Sequence, residues 1–156
     1  MSKINEKYRN DVRKAMLASA ALGPIGAFST AADISSIATI WGALLVDVAK
    51  KEGLEMTKSA AVRVCSSVII GAGGYYAGCK AATKLFNAIP FAGTVVAIGT
   101  SCVENIIFTY YFSVALISVM TAHSKNDVGN LVQSIVKVFR HFSMFDLGDI
   151  ACILIG

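Results

Sequence analysis

The chain has 156 residues, of which 55% are hydrophobic and 15% charged, with a net charge of +4 and a mean hydropathy of +0.63. Soluble domains carry roughly 25% charged residues, and a chain this small has much surface to cover. One domain is expected over 1–156, with lipid, a partner or sister copies over part of its apolar surface, and nucleic acid is excluded by the lack of a basic stripe with interleaved aromatics.

The N-terminal segment, residues 1–14, is basic and amphipathic. Ile4, Tyr8, Val12 and Met16 recur every fourth residue, which predicts a helix with one apolar face. The charged face is solvated, and the apolar face either packs internally or lies on a lipid surface. Glu6 and Asp11 in the basic part, and Gly23-Pro24 in the apolar part that follows, argue against a signal peptide.

The apolar core spans residues 20–122. Thr30-Ala31-Ala32-Asp33 fits a capping box, with Asp33 placed to reach back to the N-cap amide. A helix is expected from there to Lys50-Lys51, stopped by Gly53. Asp47 has no capping role. A pair with Lys51, four residues on, is its plain explanation.

A third helix starts at Thr57, an N-cap residue type, and runs into an uncharged stretch from Val64 to Cys79. Gly71, Gly73, Gly74 and Gly78 lie within eight residues. Each costs an exposed helix about 1 kcal/mol relative to Ala. Gly71, Gly74 and Gly78 are therefore assigned to a close helix–helix contact, with Gly74 and Gly78 as a G-x-x-x-G step. The run lacks the Lys and Ser/Thr of a phosphate-binding loop and the third glycine of a dinucleotide fingerprint.

From Leu85 to Ser124 the only charge is Glu104. The stretch is long enough for one tilted span or for a hairpin of two short segments. Ser101-x-x-Glu104 behind Gly99 is a second capping signal and places a break near residue 100. Asp33, Asp47 and Glu104 are the expected buried polar residues, since each stands in apolar sequence and a buried carboxylate must be paired, hydrogen-bonded or protonated. Trp41, Tyr75-Tyr76 and Tyr110-Tyr111 fit a membrane interface and a protein core equally. The tail, 125–156, holds Val128, Leu131, Val132, Ile135, Val136, Phe139 and Phe142 at helical spacing, an amphipathic helix.

Catalysis, metal and cofactor have no carriers in this sequence. His123 and His141 stand at no ligand spacing, and Cys65, Cys79, Cys102 and Cys152 form no C-x-x-C pair. The thiols read as free and mostly buried, in a reducing compartment. The charged segments between the apolar runs are all net positive. Simple alternating spans would break the positive-inside tendency, so returning hairpins, or a bundle docked on the surface, are preferred.

Gly23-Pro24-Ile25-Gly26 leading to Asp33-Ile34, and Ile89-Pro90-Phe91-Ala92-Gly93-Thr94 leading to Tyr110-Tyr111-Phe112, are two punctuated apolar blocks. Between them lies Ala49-Lys50-Lys51-Glu52-Gly53-Leu54-Glu55-Met56-Thr57. Over residues 20–122 this resembles the YcjF-like family of bacterial membrane-associated proteins, whose module also stands behind Era-like GTPase domains. Position 52 departs from it, being Glu where an aromatic is common, and no GTPase domain is present. The resemblance implies a helical, non-enzymatic protein of the bacterial cytoplasmic membrane.

The expectation is an all-α fold of five to six helices, with apolar helical hairpins, a glycine-rich central helix and a C-terminal amphipathic helix. The expected function is a small membrane-associated scaffold with membrane lipid as partner, forming homo-oligomers or serving a GTPase. The alternatives are a soluble bundle that shields an apolar hairpin and inserts into membranes as pore-forming domains do, and a module binding a lipid or other hydrophobic ligand.

Overall fold

The computed structural model describes residues 2–24, 30–71, 92–122, 133 and 147–156. These form five helices with no strand among the described residues: α1 (Glu6–Ala20), α2 (Thr30–Lys51), α3 (Lys58–Gly71), α4 (Ala92–Ala122) and α5 (Leu147–Ile155). The fold is all-α, as the periodicity predicts.

Local chemistry sets the ends. The Asn5 side chain accepts from the Lys7 amide at 3.0 Å and caps α1, satisfying one of the orphan N–H groups of a first turn. α2 ends on Gly53, whose φ of +77° lies in the left-handed region that favours glycine. The Gly53 amide donates to the Lys50 carbonyl at 3.1 Å and the Leu54 amide to that of Ala49 at 2.9 Å. This is the Schellman pattern of a helix C-terminus, with Lys50 and Lys51 in the last turn. Thr57 caps α3 as its type predicts: its Oγ1 accepts from the Ala60 amide at 3.2 Å.

Packing then follows from the apolar faces. α1 lies against α4, α2 and α5, and α2 lies against α3, α1 and α4. Ile4, Tyr8, Val12 and Met16 are all buried. The apolar face of α1 is thus spent inside the fold and is not free for a lipid surface. α2 and α3 pack through Gly42, where an added Cβ would stand 2.8 Å from Val62 Cγ2 and 3.1 Å from the Val62 amide nitrogen. Burying an aliphatic or aromatic side chain contributes about 1.5–3 kcal/mol, so a core built of Trp41, Leu44, Leu45, Val48, Phe108, Phe112 and Leu116 carries most of the stability.

Three sequence expectations are corrected. α4 is one continuous helix through residue 100, so Ser101 is interior and fully buried, and it starts no helix. Its pairing with Glu104 therefore caps nothing, and Glu104 is only partly buried. Asp47 is exposed, and Lys51 turns to Asp11 of α1, because a partner across the helix interface outcompetes the one four residues back. Asp33 falls in the first turn of α2, with its side chain outside those described. Gly74, Gly78, Tyr75 and Tyr76, and most of the tail with its amphipathic stretch, also lie outside the described residues. Gly71, at the end of α3, is half-buried.

Candidate functional site

The candidate functional feature of this fold is α4 and the cover over it. α4 is mostly apolar, with a single charged residue, Glu104, in 31, a composition that suits a buried core helix or a membrane span. At 1.5 Å per residue its 31 residues extend about 46 Å, and the hydrocarbon layer of a bilayer is about 30 Å thick. Ile98–Thr121 is long and apolar enough to cross a membrane, with a mean hydropathy of 1.5, and 56% of its most apolar window is buried within the fold. The core helix of a water-soluble protein meets the same criterion.

One face of α4 departs from its apolar character. Ser101, Asn105, Thr109 and Ser113 recur every fourth residue, and all four are fully buried. Such groups require partners, and those of α4 are supplied from within the helix and by the helices lying over it. Asn105 Nδ2 donates to the Ser19 carbonyl at 3.0 Å, and Ser19 Oγ donates to the Asn105 carbonyl at 3.2 Å. Trp41 Nε1 of α2 donates to Thr109 Oγ1 at 3.0 Å. The indole stacks on Phe112, centroids 4.2 Å apart and planes 6° from parallel. Ser113 Oγ donates to the Thr109 carbonyl at 2.6 Å. The end of α1 comes equally close: a Cβ on Gly23 would collide with Cys102 Sγ and stand 3.1 Å from the Ile98 carbonyl oxygen. Sequence reasoning overlooked both this stripe and Gly23 and Gly42 as contact glycines. The period-four recurrence of Ser, Asn, Thr and Ser was the available signal.

The opposite end of α1 is held by charge. Lys7 pairs with Glu52 at 2.7 Å, Tyr8 Oη donates to the same carboxylate, and Lys51 pairs with Asp11. Each ammonium also caps the other lysine's backbone: Lys7 Nζ donates to the Lys51 carbonyl at 3.2 Å, and Lys51 Nζ to the Lys7 carbonyl at 2.8 Å. Both stand over the Tyr8 ring, 5.2 and 5.9 Å from its centroid, within cation–π range. The bond to Glu52, then that to Tyr8, raises the Lys7 pKa above its ordinary value. Burial, then the bond to Glu52, raises that of Tyr8. A cleft of ≈ 610 Å³ opens beside this cluster, lined by Lys3, Lys7 and Glu52 and by Val114 and Ile117 of α4.

α5 is tied on by Asp149, which accepts from Tyr110 Oη at 2.5 Å and from the Lys3 amide at 3.0 Å, and by Arg9, which donates to the Cys152 carbonyl at 2.8 Å. Burial pushes the Asp149 carboxyl up, but the bonds from Tyr110, Ser2 and Lys3 outweigh it and hold the group below its ordinary value. Trp41, Tyr110 and Tyr111 are core residues, which decides between their two sequence readings.

Burial pushes the Cys65 thiol up to about 12, so it stays protonated and unreactive at neutral pH. Among the described residues no three His, Cys, Asp or Glu side chains gather as a metal site. Both histidines lie outside the described residues. No family model, curated protein or solved structure matches the chain.

Proposed function

We propose that this protein is a membrane-directed helical bundle that carries α4 folded under α1 and α2 and delivers it to a lipid bilayer. The observation that carries this reading is the pairing of a membrane-length apolar helix with a cover whose outward side is charged. Asn10 and Lys14 of α1 are exposed while Tyr8, Val12 and Met16 are buried on the side of the helix that packs on α4 and α2. The cover gives α4 a water-compatible state. Its outer basic groups suit an anionic surface, at about 1 kcal/mol for each Lys or Arg near the headgroups. Of the sequence-based alternatives this is the inserting bundle, with lipid as partner. It shares membrane association with the YcjF-like resemblance and requires no GTPase.

Val103 provides the test. It lies within the candidate span yet is 55% exposed in the folded bundle, so Val103→Asp is tolerated in water. In a bilayer the carboxylate costs up to about 3 kcal/mol. Flotation with phosphatidylglycerol vesicles and release of an entrapped dye are expected for the native chain. The Val103→Asp variant is expected to keep its circular dichroism and melting temperature and to lose dye release. A native chain that neither floats nor releases dye sinks the proposal, as does equal release by both proteins.

A further inference from the structure

α1 is held over α4 by two different kinds of contact. At its C-terminal end the ties are uncharged, the reciprocal Ser19–Asn105 bonds. At its N-terminal half they are ionic: Lys7 and Asp11 of α1 against Lys51 and Glu52 at the end of α2. The two lysines are brought together across one aromatic ring, and each ammonium reaches the carbonyl of the other residue. Two positive charges in that arrangement repel, and what balances them is the pair of carboxylates, whose side chains are only 16% and 15% exposed.

Among the described residues, the neighbouring cleft adds no further anion. From α4 the neighbouring cleft receives Val114, Ile117, Ser118 and Thr121, all uncharged, and from the N-terminal segment Asn5 and the cation Lys3. The titratable groups that line the cleft beside Glu52, or that bond to Glu52 and Asp11, include Lys3, Lys7, Lys51 and the Tyr8 phenol. Asp149, the nearest described carboxylate on α5, is engaged with Tyr110 and the Lys3 amide.

We propose that this four-charge clasp is an acid-opened latch: protonating Glu52 and Asp11 leaves Lys7 and Lys51 facing each other uncompensated, and the first turns of α1 lift from α2 and α4. The two Ser19–Asn105 bonds involve no titrating group, so that end stays docked and acts as the hinge. Opening uncovers the C-terminal half of α4, where Val114 and Ile117 line the cleft. As a device for releasing α4 this rests on the proposed membrane function, but the opening itself occurs without lipid.

Amide hydrogen exchange in lipid-free buffer, corrected for the intrinsic pH dependence of exchange, tests the latch. Between about pH 6 and pH 2 protection over residues 6–12 is expected to fall about tenfold or more, while residues 41–49 of α2 keep theirs. The Asp11→Asn, Glu52→Gln double variant is expected to show the open pattern already at pH 7. Adding Lys7→Met and Lys51→Met to it removes both like charges and is expected to restore protection at either pH. Loss of protection in α1 and α2 together on acidification would overturn the latch, since that is global unfolding. So would unchanged protection of residues 6–12, or no restoration in the quadruple variant. A latch that opens without dye release at any pH would leave the latch standing and refute the membrane function.

Discussion

Thr109 shows how a single hydroxyl holds two helices in register. It accepts the only tryptophan's N–H, and both residues are fully buried. Replacing Thr109 by Val keeps the volume and removes the acceptor of that bond, a loss of about 1–3 kcal/mol. Urea denaturation is expected to show that loss with an unchanged m-value, and a variant as stable as the parent would contradict the assignment. Asn105 is tied more tightly, since it also satisfies the Ser19 carbonyl. Asn105→Leu removes that donor, leaving the Ser19 carbonyl with the Leu22 amide alone at 3.1 Å, and forces a larger side chain into a full site, so its effect is expected to exceed that of Thr109→Val. None of these partners could be read from the sequence. Ser, Asn and Thr at a spacing of four say that one helix face is polar, but which groups answer them depends on residues such as Ser19, 86 positions away from Asn105.

At the scale of the element, close approach is what fixes the α2–α3 pair. Gly42 has no room for a side chain against Val62, so Gly42→Leu must push the helices apart, at a cost of about 1–3 kcal/mol. Gly99 faces open space, and Gly99→Ala is expected to be neutral or slightly stabilising through its better helix propensity. Opposite signs for the two in thermal melts are the expected outcome, and equal effects would refute the packing argument. Helix ends were the most legible part of this chain because their chemistry is local: Thr57 and Gly53 act within four or five residues of themselves, and the period-four face of α1 is visible in four residues. The break expected near residue 100 failed for a complementary reason. Ser101 three positions before Glu104 is the same string whether it opens a helix or lies inside one, and only the burial of Ser101 distinguishes them. Asp47 failed likewise, because the local rule had no view of Asp11.

For the whole molecule, charge sets the limits of stability at both ends of the pH scale. Asp149 is held below its ordinary value in the fold, so its contribution is present above the unfolded carboxylate value, near 4, and is lost as pH falls through the folded one. Lys7 and Tyr8 are raised, so theirs are present below about 10 and are lost as pH rises through the folded values. A melting temperature that is flat from about pH 6 to 9 and falls on either side is expected by calorimetry, with a shallower acid limb in Asp149→Asn. A melting temperature still rising above about pH 10 would contradict the alkaline half. The Trp41–Phe112 stack has a practical corollary. Because the chain has one tryptophan and it is sealed between α2 and α4, its emission comes from a single dry site at the seam between them. Parting of those two helices, in acid, in urea or on a vesicle, would wet the indole and move its emission to the red. Lifting of α1 alone would leave the spectrum blue. The protein thus carries its own optical gauge, able to tell loosening of the cover from departure of α4 with no label added.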